Sequence, residues 1–179
     1  MNKKPYLLVV TGRPGAGKTT FAKKLGNEIC MPVISRDEIK EGYVHTFGKK
    51  HAKLPHESNK IATEIFFDTL KGLLGNNVSV IAEAAFQHKI WSSMLAQFKE
   101  KSHVTLLICK IDDTTALDRF TNRRLGSSSR DYFHGDNTAQ ANIRSYEEPR
   151  LDVPTLYVDT ANDYSPSIKE LIRTILETP

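Results

Sequence analysis

The chain has 179 residues, of which 39% are hydrophobic and 26% are charged, and its formal net charge is +4. This length and composition favour a single folded domain over residues 1–179, and the small positive excess suits an anionic ligand without requiring nucleic acid. Two cysteines and no long apolar run argue against a disulfide scaffold and a membrane span, so we expect a cytoplasmic protein that needs neither a membrane nor an obligate protein partner.

Five short apolar runs alternate with helical patterns along the chain. The runs are continuously apolar, as is typical of parallel strands that helices cover on both faces, and they are Tyr6–Val10, Met31–Ser35, Val78–Ala82, Val104–Lys110 and Thr155–Asp159. Apolar residues at one-face spacing predict helices over Lys18–Ile29, His56–Leu74, Lys89–Lys101, Thr114–Arg124 and Ser167–Glu177. This alternation predicts a doubly wound α/β domain.

Two segments lack a clear period. Gly42–Pro55 contains two glycines, a proline and several basic residues, so we predict a mobile loop or an irregular helix there. Gly126–Asp136 is polar and follows an arginine-bearing helix, so we predict a small lid at about residues 125–137. The histidines show no ligand spacing with cysteines or acids, so we predict no metal site other than one for Mg²⁺.

The segment between the first predicted strand and the first predicted helix matches the phosphate-binding pattern G-x-x-x-x-G-K-[ST]. It consists of Gly12, Arg13, Pro14, Gly15, Ala16, Gly17, Lys18 and Thr19. Glycines allow backbone N–H groups to surround a phosphate, and the N-terminus of the following helix adds positive charge. We expect Lys18 to reach the β and γ phosphates of ATP, Thr19 to hold Mg²⁺, and Thr20 to cap the helix or contact the α phosphate. A turn without a ligand and a P-loop that binds nucleotide only as a regulatory signal are the alternatives.

A charged segment, Ser35-Arg36-Asp37-Glu38-Ile39-Lys40, follows the second predicted strand, at the sheet edge where α/β proteins bind ligands. Here the sequence resembles the polynucleotide-kinase, zeta-toxin and chloramphenicol-phosphotransferase group of P-loop kinases, which are AAA-type ATP-binding proteins. The resemblance covers nearly the whole chain. It implies a P-loop NTPase three-layer sandwich with a five-stranded parallel sheet.

The resemblance also implies roles for this segment. Asp37, beside Arg36, would activate the acceptor hydroxyl. Lys40 stands three positions further on, where polynucleotide kinases carry a basic residue that contacts acceptor phosphate. The alternative interpretation is that Asp37 and Glu38 only cap the next helix at its positive end.

Two further positions follow from the same resemblance. Glu83 ends the third strand, where the family places a carboxylate that orients acceptor groups or Mg²⁺-bound water. A buried ion pair between Glu83 and Arg36, with a structural role only, is the alternative. Thr160 and Asn162 fall in the turn that lies beside the adenine in these kinases, or they are ordinary turn residues.

Arginines precede the predicted lid. Arg119 and Arg123 lie one helical turn apart, so they share one face of the predicted helix. The resemblance implies that Arg119 belongs to the nucleotide site and that Arg123 reaches the transferring phosphate, with Arg124 and Arg130 as substitutes. A solvated basic helix face is the alternative.

Together these motifs predict an ATP-dependent kinase that transfers the γ-phosphoryl group to a hydroxyl of a small-molecule or nucleotide-like acceptor. ATP and Mg²⁺ are the expected cofactors. Nucleic acid is left open but not favoured: a polynucleotide 5'-hydroxyl kinase would have a groove of cations around Arg36, Lys40, Lys49, Lys50 and Lys53. A non-catalytic ATP-binding module whose partner is another protein is the alternative from a different class.

Overall fold

The computed structural model describes residues 4–55, 57–125, 132–134 and 146–177, with only the backbone of Arg124 and Leu125. Its sheet has five parallel strands in the spatial order β2-β3-β1-β4-β5. The strands are β1 (Tyr6–Thr11), β2 (Val33–Ser35), β3 (Val80–Glu83), β4 (His103–Lys110) and β5 (Thr155–Asp159). Ser35 and Val10 both pair with Glu83. The carboxyl ends of β1, β2 and β3 therefore meet at one edge of the sheet.

Helices cover both faces of this sheet, which confirms the predicted three-layer α/β class. They are α1 (Lys18–Ile29), α2 (Arg36–Phe47), α3 (Ser58–Gly75), α4 (His88–Lys99), α5 (Asp113–Leu125) and α6 (Ile168–Glu177). On one face, α1 and α6 bury Phe21 and Leu171 against the strands. On the other, α3 and α4 bury Phe66, Phe67 and Trp91. The two apolar faces of each strand explain why the strand sequences are continuously hydrophobic.

The predicted boundaries of the strands and of the five predicted helices are correct to within two residues. The prediction for Gly42–Pro55 is wrong in its first part, because α2 continues through Gly42 as a regular helix to Phe47. Acidic Asp37 and Glu38 lie in the first turn of α2, where they interact favourably with the helix dipole, and Gly48 ends the helix in a left-handed conformation. A short 3₁₀ helix, His51–Lys53, follows.

The predicted lid at residues 125–137 lies almost entirely outside the described residues. Of that segment the structure describes the backbone of Leu125 and a short helical piece at 132–134. The predicted start of α3 at His56 also lies outside the described residues. Within the part of the chain that is described, no helix has both the length and the apolar character that crossing a membrane requires.

Candidate active site

The phosphate-binding segment lies between β1 and α1, in the structural context that the motif requires. Three of its residues, Gly12, Gly15 and Gly17, have positive φ angles of 146°, 84° and 71°. A Cβ atom on Gly12 would lie 2.6 Å from the carbonyl oxygen of Cys109, so this turn has no room for a side chain. Glycine is therefore required here both for the backbone conformation and for the close approach to β4.

Lys18 holds its ammonium group inside this loop. The side chain is almost fully buried, and its Nζ donates to the carbonyl oxygen of Arg13 at 3.1 Å. Burial lowers the pKa of Lys18, although the nearby Glu83 carboxylate opposes that shift. A buried ammonium group that is hydrogen-bonded to a neutral carbonyl oxygen favours the binding of an anion beside it.

A cavity of about 420 Å³ lies on one side of the loop, and we call it the nucleotide-side cavity after the role that the sequence predicts for its residues. It is lined by seven residues that the sequence predicts to be functional, namely Gly15, Gly17, Thr20, Arg119, Arg123, Thr160 and Asn162. It is also lined by Lys24, Asp163 and Tyr164, which the sequence analysis missed. Lys24 was detectable in principle, because it lies one helical turn after Thr20 on α1.

Backbone contacts fix the wall of the nucleotide-side cavity. The buried Thr160 hydroxyl lies 2.9 Å from the carbonyl oxygen of Ala16 and 3.1 Å from that of Lys110. Arg119 donates to the carbonyl oxygen of Thr160 at 2.9 Å and also to that of Ala161. These bonds tie the turn after β5 to the phosphate-binding loop and to α5. Arg119 and Thr160 thus shape the cavity as well as lining it.

The remaining residues of the loop support it from behind. Arg13 forms an ion pair with Asp113 at the start of α5. The buried Ala16 packs in the core under α1. Gly12, Arg13 and Ala16 line neither of the cavities described here, and their predicted contact with the nucleotide stays a prediction.

A second cavity, of about 220 Å³, lies on the other side of the loop, and we call it the acceptor-side cavity after the role that the sequence predicts for its residues. It shares Gly15, Gly17, Thr20 and Arg123 with the first one. Its wall also contains the predicted residues Pro14, Lys18, Thr19, Arg36, Asp37, Lys40 and Glu83. Residues from β3, α1, α2 and α5 therefore converge next to the loop, as the sequence analysis expected.

Asp37 is surrounded by positive charge. Its side chain is about half exposed, and Arg36 approaches it at 3.4 Å while also donating to the carbonyl and side-chain oxygens of Asn59 on α3. Burial acts to raise the pKa of Asp37, but electrostatic interactions with His134, Arg36, Lys18 and Lys40 outweigh it and hold that pKa below its ordinary value. Asp37 is therefore ionised at neutral pH, and it lines the cavity as well as lying in the first turn of α2.

Glu83 is buried between hydroxyl groups rather than paired with Arg36. The Ser35 hydroxyl donates to its Oε2 at 2.7 Å, and the Thr19 hydroxyl also hydrogen-bonds the carboxylate. Burial raises the pKa of Glu83, although the Lys18 ammonium and these two hydrogen bonds oppose the shift. Ser35 was missed in the sequence, although its position at the end of β2 beside Glu83 follows from the parallel sheet.

His134 also lines the acceptor-side cavity and was missed. Its Nε2 lies 2.7 Å from Oε1 of Glu41, and its carbonyl oxygen accepts from Nζ of the buried Lys40 at 3.5 Å. No sequence signal identified it, because its contacts to α2 span more than ninety residues of chain.

Among the predicted arginines, Arg123 borders both cavities and its guanidinium lies 5.9 Å from the ring centre of Phe120. This position at the junction fits the predicted role better than that of Arg119, which contacts backbone carbonyls. The side chain of Arg124, and Arg130 altogether, lie outside the described residues.

The fold and the loop together define the structural class of this protein, a P-loop NTPase of the kinase type. The model of a protein family described as an AAA domain matches residues 7–149, which is most of the chain. The chain therefore belongs to this AAA domain family. No curated protein matches it in sequence.

Solved structures share this fold at low sequence identity. A presumed kinase from Chloroflexus aurantiacus J-10-fl is 20% identical, with a TM-score of 0.81 and coverage of 99% of this chain and 97% of the other. Kti12 of Chaetomium thermophilum, in complex with ADP-AlF3, is 20% identical with a TM-score of 0.67, covering 97% and 98%. A gluconokinase from Sinorhizobium meliloti 1021 is 16% identical with a TM-score of 0.63, covering 98% and 94%.

Proposed function

We propose that this protein is an ATP-dependent kinase that transfers the γ-phosphoryl group to a hydroxyl of a small-molecule or nucleotide-like acceptor. The observation that carries the proposal is the meeting of two cavities at the phosphate-binding loop, with the ionised Asp37 in the second of them. A protein that only binds nucleotide needs the first cavity alone. The likeness in fold to kinases agrees with this proposal.

On the nucleotide side, the loop and Lys18 would hold the β and γ phosphates, while Arg119 and Thr160 form the wall beside the base. Thr19 and Glu83 fit Mg²⁺, because they present neighbouring hydroxyl and carboxylate oxygens, the ligand type that this ion prefers. When bound there, Mg²⁺ would supply charge neutralisation on the phosphates.

On the acceptor side, Asp37 would orient the acceptor hydroxyl toward the γ phosphorus and take its proton. The acceptor oxygen forms a bond to phosphorus, the bond from phosphorus to the bridging oxygen of ADP breaks, and ADP leaves with that electron pair. The lowered pKa of Asp37 makes it a weak base, so orientation of the hydroxyl is the larger part of its work.

Cations at the junction of the cavities would stabilise the transferring phosphoryl group. Lys18 and Arg123 border the space between the nucleotide and Asp37. Positive groups fixed before the reaction stabilise charge on the equatorial oxygens without reorganisation. Lys40 and Arg36 lie further along the same wall and are proposed to bind the acceptor.

A screen for acceptor-stimulated ADP release tests this proposal. Sugars, nucleosides, antibiotics and oligonucleotides with a 5'-hydroxyl would each be added with MgATP, and the Asp37→Asn variant would serve as the control for each positive response. We expect one acceptor class to stimulate release in the wild type but not in the variant. ATP binding without stimulation by any class would instead support a non-catalytic nucleotide-binding module, an alternative that the likeness to Kti12 leaves open.

We also propose that residues 1–179 form one kinase domain and that residues 125–137 act as its lid. Arg123 lies directly before that segment, and His134 within it lines the acceptor-side cavity. A cytoplasmic location belongs to the same proposal.

A further inference from the structure

The exposed end of α2 carries a pair of aromatic rings in contact, tilted against each other. Tyr43 and Phe47 lie one helical turn apart, and their ring centres are 4.8 Å apart at an interplanar angle of 45°. Phe47 is 51% exposed, although it is large and apolar. Such a ring gains nothing for the fold from its exposed face, so this face is available to a ligand.

Three lysines follow this ring pair in the chain. Lys49, Lys50 and Lys53 are exposed, and residues 42–55 contain no aspartate or glutamate. Several other surface lysines lie beside carboxylates, as in the pairs Lys23–Glu38, Lys60–Glu64, Lys71–Asp68 and Lys99–Asp152. By contrast, in the described part of the chain no carboxylate lies within ion-pair distance of Lys49, Lys50 or Lys53. Three positive charges therefore lie close together in the chain without an acidic partner among the described residues.

The rings and the lysines adjoin the acceptor-side cavity. Lys40, Tyr43 and Phe47 lie at i, i+3 and i+7 on α2, so they share one side of the helix. Lys40 lines the cavity, and Phe47 lies about 10 Å further along the helix axis at 1.5 Å per residue. Glu41 is the acidic residue of α2 next to Lys40, and its carboxylate contacts Nε2 of His134.

We propose that Tyr43, Phe47, Lys49, Lys50 and Lys53 form a surface that binds single-stranded nucleic acid. The exposed face of Phe47 would stack on a base, and the lysines would contact the phosphates on either side of it. A membrane would require a wider apolar area than one half-exposed ring, and an acidic peptide would leave that ring unused. This proposal does not rest on the proposed kinase function, because the nucleic acid could be the acceptor or could only localise the protein.

The proposal is tested by fluorescence anisotropy with a labelled oligo(dT) of about 12 nucleotides, within the range usual for such sites. Phe47→Ala should weaken its binding by about fivefold to 150-fold, the effect of losing one stacked base. The triple variant K49A/K50A/K53A should reduce the slope of log affinity against log salt by about 2, since each phosphate contact contributes about 0.7 for a single strand.

Matched controls separate this surface from general effects. Tyr157→Ala removes a ring that is 52% exposed on β5, and K60A/K71A/K101A removes the same net charge elsewhere on the exposed surface. Neither control should change oligo(dT) affinity by more than about twofold, which is within the usual effect of distant surface changes. Melting temperature and ADP binding, measured on every variant, show whether each one is folded and keep this test separate from the proposed kinase function.

Four results would overturn the proposal. They are undetectable oligo(dT) binding by the folded wild type, equal losses in the Phe47→Ala and Tyr157→Ala variants, equal affinity for duplex DNA, and binding to phosphatidylserine vesicles in place of oligo(dT). Loss of oligo(dT) affinity in Phe47→Ala alone, with ADP binding intact, would support it.

Discussion

The two sides of the phosphate-binding loop are built differently. The nucleotide-side cavity is shaped largely by backbone: glycines with positive φ, and carbonyl oxygens that bind Thr160 and Arg119. The acceptor-side cavity is lined by charged side chains, among them Asp37, Glu83 and Lys40, which come from separate elements. A backbone cradle recognises phosphate whatever the protein acts on, whereas the arrangement of side chains can change with the substrate.

This difference predicts how substitutions will behave. A substitution in the nucleotide-side cavity should affect nucleotide affinity. A substitution in the acceptor-side cavity should affect phosphoryl transfer, with little effect on nucleotide affinity. A residue at the junction should affect both.

Lys18→Ala should have the largest effect, because its ammonium group lies inside the phosphate-binding loop between the two cavities and lines the acceptor-side one. MgATP affinity should fall, and turnover should fall by about 10³- to 10⁵-fold, the range seen when a cation on the transferring phosphate is lost. Isothermal titration and acceptor-dependent ADP release measure the two quantities. Lys23→Ala, which removes an exposed lysine paired with Glu38, is the control. Unchanged ATP affinity and turnover in Lys18→Ala would contradict the assignment of the loop.

Asp37→Asn should separate the two sides. Acceptor phosphorylation should fall by about 10²- to 10⁴-fold, because a base and orienting group is lost, while MgATP affinity should remain near that of the wild type. The measurements are the acceptor-dependent rate, MgATP affinity and melting temperature.

The control for Asp37→Asn is the neighbouring residue. Glu38→Gln also removes an acid from the first turn of α2, but Glu38 contacts Lys23 and does not line the cavity. If Asp37 only stabilised the helix through its dipole, both variants would lose some stability and retain their activity, because each removes one negative charge from the first turn. A rate within about tenfold of the wild type in Asp37→Asn would remove Asp37 from the catalytic role.

The same difference explains what the sequence could predict. The loop is contiguous, so Gly12 to Thr19 identified it, and the buried strands were visible because each has two apolar faces. α2 beyond Gly42 was missed because few of its residues are buried, and its apolar residues therefore show no clear period. His134 and Ser35 were missed because their partners, Glu41 and Glu83, are far away in the chain. Contacts of that kind follow from tertiary packing and leave no local pattern.

Thr160→Val should affect only the nucleotide side, and more weakly. The substitution keeps the side-chain shape but removes the hydroxyl that binds the carbonyl oxygens of Ala16 and Lys110. The free energy of unfolding should fall by about 1 kcal/mol, and ADP affinity should fall by up to about tenfold. Thr155→Val, at the other end of β5, removes a hydroxyl bond to Val153 and should leave ADP affinity unchanged. A change in acceptor KM without a change in ADP affinity would assign Thr160 to the acceptor side and not to the nucleotide side.

Glu83→Gln should change the stability of the fold least among these variants. The sign of that change shows whether ionisation of Glu83 destabilises the folded protein. Because burial raises the pKa of Glu83, its ionised form is disfavoured in the folded protein, and stability is lost as pH rises from the ordinary carboxyl pKa through the raised one. The amide of the variant side chain would keep an oxygen for the Ser35 hydroxyl without this cost. At pH 7 the melting temperature of the variant should therefore be higher than that of the wild type.

The pH dependence and the kinetics of Glu83→Gln complete the test. The difference in melting temperature should vanish below about pH 4, where the wild-type carboxyl is protonated in the folded and unfolded states. A difference that is the same at every pH would show that the effect comes from packing and that ionisation of Glu83 costs nothing. If Glu83 belongs with Thr19 to the nucleotide side, the variant should need a higher Mg²⁺ concentration for half-maximal turnover while its acceptor KM stays unchanged. The reverse pattern would place Glu83 with Asp37 on the acceptor side, because both carboxylates line that cavity.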